Sequence, residues 1–218
     1  VQTGKLLADL KGHVDRILSM EFNLQGTRLL STASVDSTAI LWDVQSGTRI
    51  RTISTGQYYI EYALFSPDGS AFTVENNSSD LKPALFSSET GLPVLQFQTK
   101  GKYFTNAAAF SPDGNMLLLT YQTVNPEIYN TKTGELLFEL DVPNSVITAM
   151  QWLPDGKTIA LASYDKQVYI WNVQTNKHTF TLSGHSSAVT SLIISPNGKQ
   201  LLTASPFEYN ARLWNELT

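Results

Sequence analysis

His13, Thr32 and Asp36 are the three residue types of a hydrolytic triad, gathered toward the N-terminal end of the sequence. A hydroxyl activated by an imidazole, itself oriented by a carboxylate, attacks acyl carbons. A threonine fixed within a strand is a poor nucleophile, however, and needs freedom to approach a substrate. Asp68, Asp113 and Asp155 each stand in a Pro-Asp-Gly tripeptide and have the chemistry of catalytic carboxylates or calcium ligands. They lack the alternating acidic pattern of a calcium loop and recur because a turn recurs. The three histidines, His13, His178 and His185, show neither His-x-His nor His-Glu-x-x-His spacing, so no zinc site is expected. No Gly-x-x-x-x-Gly-Lys phosphate loop is present. With no cysteine there is no thiolate metal site, no cysteine nucleophile and no disulfide framework. The expectation is a protein that is not an enzyme and carries neither cofactor nor metal.

Any such group must be positioned by the elements around it, and these repeat. Glycines closing a turn signal fall at 26, 69, 114, 156 and 198, steps of 43, 45, 42 and 42 residues. Four of the five turns contain Pro-Asp-Gly or Pro-Asn-Gly, in which Pro presets φ and Gly takes positive φ. A second series ends an apolar run at Trp42-Asp43, Phe86-Ser87, Tyr129-Asn130, Trp171-Asn172 and Trp214-Asn215. A third follows in the same phase: Ser46-Gly47, Thr90-Gly91, Thr133-Gly134 and Thr175-Asn176, with Thr3-Gly4 ahead of them. Within each unit short β-rich runs, such as Ile17–Phe22, Leu29–Ala33 and Thr38–Trp42, alternate with turns, and a fourth run follows the third marker. No segment sustains a 3.6-residue period, so almost no helix is predicted. A period of 40–45 residues with four strands per unit is the pattern of a β-propeller.

The chain resembles the WD40-repeat family. Gly12-His13 with Trp42-Asp43, Gly184-His185 with Trp214-Asn215, and the five turn signals carry the resemblance, which covers nearly the whole chain. It implies an all-β fold of five four-stranded blades, either a closed five-blade ring or part of a larger ring of about seven. The expected units are 1–43, 44–87, 88–130, 131–172 and 173–215, in one domain over 1–218. The resemblance also implies a structural tetrad of His, Ser/Thr, Asp and Trp. The matching residues are His13, Thr32, Asp36 and Trp42 in the first unit. The fourth unit keeps Asp165 and Trp171; the fifth keeps His185 and Trp214, with Thr203 as the hydroxyl and Glu208 in place of the Asp. The second keeps Asp80 with Phe86 in the Trp place, and the third, around Thr123 and Tyr129, has lost the set. Buried indole, hydroxyl and imidazole groups need hydrogen-bond partners, and the tetrad lets them satisfy one another. That makes the structural reading of His13, Thr32 and Asp36 stronger than the catalytic one.

Val1-Gln2-Thr3-Gly4 reads like the residues that follow Trp42-Asp43 and Trp171-Asn172, so the chain is expected to be part of a longer array. Lys5–Leu10 is predicted as an outer strand that would complete the last blade. What remains is surface. Aligning the units puts Arg16, Tyr59, Phe104, Val146 and Ala188 at one position, ahead of each innermost strand. Leu18, Glu61, Asn106, Thr148 and Thr190 follow two residues later, at the alternate strand position expected to face the same side, and Val35, Ser79, Gln122, Tyr164 and Phe207 form a further ring. Arg and Tyr are over-represented among residues that carry binding energy. Arg16, Tyr59, Glu61, Phe104, Tyr164 and Phe207 are therefore the candidate partner-binding residues.

Charge narrows the partner. The 218 residues carry 15 basic and 19 acidic side chains, a net charge of −4, and no Lys/Arg run. Neither sequence-independent nucleic-acid binding nor anchoring on an anionic membrane is expected. No apolar run approaches the ~20 residues that span a bilayer. The leading expectation is a non-enzymatic scaffold that binds a protein or peptide partner across one face, in the cytoplasm. Alternatives are a sensory or autoinhibitory domain within a larger signalling protein and a small-ligand or glycan-binding propeller. A glycosidase needs a carboxylate pair, and Glu61 is the one carboxylate at the innermost-strand positions.

Overall fold

The computed structural model describes residues 4–56, 59–76, 82–99, 105–122, 125–143 and 146–215. Among them are strands and turns and no helix. The chain divides into two compact units, Val1–Lys102 and Tyr103–Thr218.

The first unit holds two antiparallel sheets. One is β1 (Ile17–Phe22), β2 (Arg28–Ala33), β3 (Thr38–Asp43) and β4 (Thr48–Ser54), in sequence order. The other is β5 (Ile60–Phe65), β6 (Ala71–Asn76), β7 (Ala84–Ser87) and β8 (Pro93–Gln96). The second unit holds three. They are β9 (Thr105–Phe110), β10 (Met116–Tyr121), β11 (Glu127–Asn130) and β12 (Leu136–Glu139); then β13 (Ile147–Trp152), β14 (Thr158–Ser163), β15 (Val168–Asn172) and β16 (Lys177–Leu182); then β17 (Ser191–Ile194), β18 (Gln200–Ala204) and β19 (Ala211–Asn215). The fifth sheet has three strands among the described residues. Lys5–Leu10 is assigned to no strand among the described residues. Its counterparts β4, β8, β12 and β16 each pair with the third strand that precedes them, as β4 does with β3. Leu10 instead packs on Leu29, Ile40 and Trp42.

Each first hairpin is closed by its turn chemistry. Gly26, Gly69, Gly114, Gly156 and Gly198 all sit at φ between 65° and 72°, open to glycine without strain. In the Ser-Pro-Asp turns the serine hydroxyl donates to the Asp carboxylate, as at Ser66–Asp68 (2.5 Å) and Ser111–Asp113 (2.6 Å). The first turn lacks Pro-Asp, and there the Asn23 side chain accepts from the amides of Thr27 and Arg28, each at 2.9 Å.

The middle strands β2, β10 and β14 are buried on both sides, and β10 and β14 accordingly read as largely apolar runs, while β2 carries the buried hydroxyls Ser31 and Thr32. Sheets pack face to face. Leu30, Ala39 and Leu41 of the first meet Ile60, Phe72 and Val74 of the second. In the second unit Leu118 and Ile128 meet Leu161, Tyr169 and Trp171, and Ala160 and Ile170 meet Leu192, Ile194 and Leu201. One polar clasp recurs at these seams. The Glu21 carboxylate accepts the Phe65 amide of the next innermost strand at 3.0 Å, and the Gln151 side chain accepts the Ile194 amide at 3.0 Å. Burial pushes the Glu21 carboxyl up, against the lowering effect of the Phe65 N–H.

The innermost strands start on β-bulges. The register skips one residue between Ile17 and Ser19, between Ile60 and Tyr62, and between Ile147 and Ala149. Leu18, Glu61 and Thr148 are therefore the extra residues of bulges, and Asn106 holds the same place in β9. Such a residue leaves the regular in–out alternation. The expectation that these positions simply face the same side as Arg16 and Tyr59 is corrected accordingly.

Candidate functional site

The His13 cluster has the connectivity of a triad but a different hydroxyl from the predicted one. His13 Nδ1 lies 3.0 Å from the Asp36 carboxylate, and Nε2 lies 2.7 Å from Oγ of Ser31. Trp42 Nε1 donates to that same oxygen at 2.8 Å. Thr32 is not in the set. Side chains alternate along β2, and Trp42 pairs across from Leu29, so the face it shares is that of residues 29, 31 and 33. Thr32 turns to the other face and bonds Ser19 Oγ at 2.8 Å. Asp36 is further held by the Thr38 hydroxyl (2.7 Å) and the Val14 amide (3.2 Å). Burial alone would raise its pKa, but these bonds from Thr38, His13 and Val14 outweigh it and hold the carboxyl below its usual range.

Chemically this cluster is closed. With Nδ1–H directed at Asp36, Nε2 accepts the Ser31 hydroxyl proton, and the Ser31 oxygen receives the Trp42 N–H. Ser31 is 2% exposed and Trp42 covers it, so no acyl carbon can approach. A second tetrad stands in the fifth sheet. His185 Nε2 lies 2.7 Å from the Thr203 hydroxyl, which takes the Trp214 indole N–H at 2.8 Å, and His185 Nδ1 bonds Glu208. The longer Glu side chain, on the Pro206-Phe207-Glu208 turn, does the work that Asp36 does in the first sheet. The Ser186 amide, the Ser186 hydroxyl and His185 draw its carboxyl down to about 2.

The remaining sheets solve the same problem differently. Asp165 and Trp171 share the fourth sheet but are not joined. Asp165 accepts the Tyr169 hydroxyl at 2.5 Å, and Trp171 donates to Asn176 at 3.3 Å. In the third sheet a buried Glu127 accepts the hydroxyls of both Tyr121 (2.8 Å) and Tyr129. Burial, together with the neighbouring carboxylate, pushes both phenols well above their usual range. In the second sheet Phe86 stacks on Phe72, ring centroids 5.4 Å apart. Asp80 and Thr123 lie outside the described residues. Sequence reasoning missed Ser31 and the Tyr–Glu–Tyr cluster. Strand parity from Trp42 would have found Ser31.

The surface candidates separate from these interior groups. Arg16, Tyr59 and Val146 directly precede β1, β5 and β13. Arg16 is exposed and Tyr59 is 50% exposed. Tyr164, 68% exposed, and Phe207, 79% exposed, sit just past β14 and β18. In the second unit the Tyr164 amide donates to the Val146 carbonyl at 3.0 Å, which puts two of the aligned positions side by side. Ala188 is buried, and Thr148 is drawn inward because its hydroxyl donates to the Val189 carbonyl. Phe104 and Ser79 lie outside the described residues, as does the side chain of Glu61. Among the described residues no group of three or more His, Cys, Asp or Glu is placed to hold a metal ion. No helix among them is long and apolar enough to cross a membrane.

Comparison with known proteins agrees with this architecture. The family model described as WD domain, G-beta repeat matches residues 4–43, 134–172 and 176–215, more than half of the chain. The chain belongs to the WD40-repeat family, whose members are commonly protein-interaction scaffolds and generally non-enzymatic. The matched stretches contain Trp42, Trp171 and Trp214. The unmatched stretch between the first two holds the sheets in which Phe86 and Tyr129 stand instead. WD repeat and SOCS box-containing protein 1 of Mus musculus is 35% identical over 69 residues, 31% of this chain and 16% of that protein. U3 small nucleolar RNA-associated protein 21 homolog of Schizosaccharomyces pombe is 46% identical over 55 residues, 25% of this chain and 6% of that protein. An uncharacterized WD repeat-containing protein of Synechocystis is 31% identical over 72 residues, 33% of this chain and 21% of that protein. The matches thus span about a fifth or less of these relatives' own lengths.

Proposed function

We propose that the protein is a non-enzymatic docking module that binds a protein or peptide partner through the loops leading into and out of its innermost hairpins. The supporting observation is the exposure of Tyr59 just ahead of its innermost strand and of Tyr164 and Phe207 at one equivalent position after β14 and β18, while the Ser31 and Thr203 hydroxyls of the two triad-like clusters are buried against Trp42 and Trp214. Large aromatics in water supply contact area at little entropic cost and dominate interface energetics where they are covered. In the first unit the contact residues are Arg16, Tyr59 and the Glu61 bulge. In the second they are Tyr164 and Phe207, with Phe104 at the aligned position. The partner needs no polybasic or polyphosphate character, in keeping with the net charge of −4.

The test keeps the two units apart. The protein is immobilised and its captured proteins are quantified by mass spectrometry, alongside Arg16→Glu/Tyr59→Ala and Tyr164→Ala/Phe207→Ala. At least one double variant should lose a specific partner at unchanged melting temperature. If both variants retain every captured protein, the assignment is wrong. A second reading draws on the name of one relative, WD repeat and SOCS box-containing protein 1, in which WD repeats stand beside another element. On that reading the module regulates an effector carried on the same polypeptide. Here the same variants change the activity of the longer protein rather than the set of captured ones.

A further inference from the structure

The seams between neighbouring turns are not alike. At the first, the Gln25 side chain fills the space above Gly69 and donates to the Asp68 carbonyl at 2.8 Å. Between the fourth and fifth sheets, Pro154 packs over Gly198. Between the third and fourth sheets, both in the second unit, nothing lies within 4 Å of where a side chain on Gly156 would begin. A groove of about 430 Å³ opens there. Met116, Phe138 and Val173 line it, with Pro112 and Pro154 from the two turns. That volume and apolar lining suit a side chain and its backbone.

The charged lining consists of Asp113 from the third-sheet turn, and Asp155 and Lys157 from the fourth. Asp113 is held ionised by its turn. The Ser111 hydroxyl donates at 2.6 Å and the Asn115 side chain at 2.8 Å, and these bonds lower its pKa. Asp155 accepts the amides of Lys157 and Thr158 at 2.8 and 2.9 Å. Both carboxylates are solvent-exposed, so the rims carry a net negative charge facing water. The groove lies at the Lys157 end of β14 and Tyr164 at the other, about 20 Å along a six-residue strand. It is a different surface from the docking loops above.

We propose that this groove takes a short extended peptide from a protein partner, seating one large apolar side chain on Met116, Phe138 and Val173 and an adjacent Lys or Arg side chain between Asp113 and Asp155. The apolar lining supplies the anchor. Charge complementarity selects the neighbour, because a basic group meets one carboxylate from each wall and an acidic one is repelled by both. Lys157 opposes the basic neighbour and tempers the affinity.

The test is a nuclear magnetic resonance titration of the isotope-labelled full chain with capped pentapeptides. The probes are Gly-Leu-Lys-Gly-Ser, Gly-Leu-Glu-Gly-Ser and Gly-Ala-Lys-Gly-Ser. Saturable shifts are expected at the Gly156 and Val173 amides and the Met116 methyl, with the Leu-Lys peptide bound about five-fold more tightly than either control. Asp113→Asn with Asp155→Asn removes the charge and keeps the turn, since Asn197 serves the fifth turn by accepting the Ser195 hydroxyl at 2.7 Å and the Lys199 amide at 3.0 Å. That variant should lose the Lys preference and bind Leu-Glu at least as tightly as Leu-Lys, because Lys157 remains, and Lys157→Gln in the otherwise unchanged protein should strengthen Leu-Lys binding. No saturable shift with any peptide would overturn the proposal, as would equal binding of the Lys and Glu peptides to the wild type. A Lys preference that survives Asp113→Asn with Asp155→Asn would also overturn it.

Discussion

Replacing Ser31 by alanine tests the sealed-tetrad reading most sharply. The hydroxyl it removes serves two buried partners at once, the Trp42 indole N–H at 2.8 Å and His13 Nε2 at 2.7 Å. Each loses its bond without gaining water, at a cost of about 1–3 kcal/mol per group. Together that is about 3 kcal/mol, a large part of what holds the middle of the first sheet. Thr32→Ala next door removes one bond, to the partly buried Ser19 hydroxyl, and costs about 1 kcal/mol. Hydrogen exchange reads the difference locally, because opening of β2 and β3 exposes their amides. A loss of about 3 kcal/mol speeds exchange of Arg28–Asp43 amides by about a hundredfold, against about five-fold for Thr32→Ala. Ser31→Thr keeps a hydroxyl, as Thr203 does in the fifth sheet, and should restore most of the protection. Equal exchange in Ser31→Ala and Thr32→Ala would refute the reasoning. An activity lost in Ser31→Ala at unchanged protection would restore the catalytic reading.

Acid should reveal the second tetrad. The folded Glu208 carboxyl sits at about 2, below its usual 4.5, so its stabilisation is complete above pH 4.5 and disappears as pH falls toward 2. Glu208→Gln should be less stable than wild type at neutral pH and flatter across that window in a melting series; parallel acid limbs would contradict this. Glu21 has the opposite sign: burial raises its pKa, so the ionised form is disfavoured and Glu21→Gln, which keeps an acceptor for the Phe65 amide, should match or exceed wild-type stability at pH 7. Glu21→Ala should fall below it by about 1 kcal/mol in urea unfolding. Tyr121 and Tyr129 should stay protonated in the folded protein well past the range where exposed phenols titrate. Tyr129→Phe should therefore leave the native-state near-ultraviolet titration unchanged below pH about 11, and a lost native phase would show that the phenol is open to water.

Periodicity was the legible part. The turn glycines place the first hairpin of each sheet, and the Trp-Asp series the last hairpin of the four four-stranded ones, because a turn needs specific residue types at specific positions. The side-chain partners were less legible, since a one-residue choice within a strand reverses the face. Thr32 matches the family pattern by type, yet Ser31 has the parity of Trp42. The bulges at Leu18, Glu61 and Thr148 have no composition signal, because any residue type can be the extra one. The Glu127 cluster was hidden for another reason. Its tyrosines occupy places where the repeat pattern has other residues, and partners joined across a sheet leave no mark on local spacing.

The five sheets also show what is interchangeable in this fold. Each must satisfy or remove the polar groups at the middle of its second and third strands. Two do so with imidazole, hydroxyl, carboxylate and indole, one with a carboxylate between two phenols, one by separate Asp–Tyr and Trp–Asn pairs, and one with stacked phenyl rings beside a buried Thr73–Glu75 pair at 3.1 Å. These solutions differ in chemistry but keep the strands in the same order. A protein that can exchange a histidine tetrad for two phenylalanines without altering its hairpins can equally vary Arg16, Tyr59, Val146, Tyr164 and Phe207. On the docking role proposed above, variation there would change what is bound, while variation inside would change how firmly the hairpin stands.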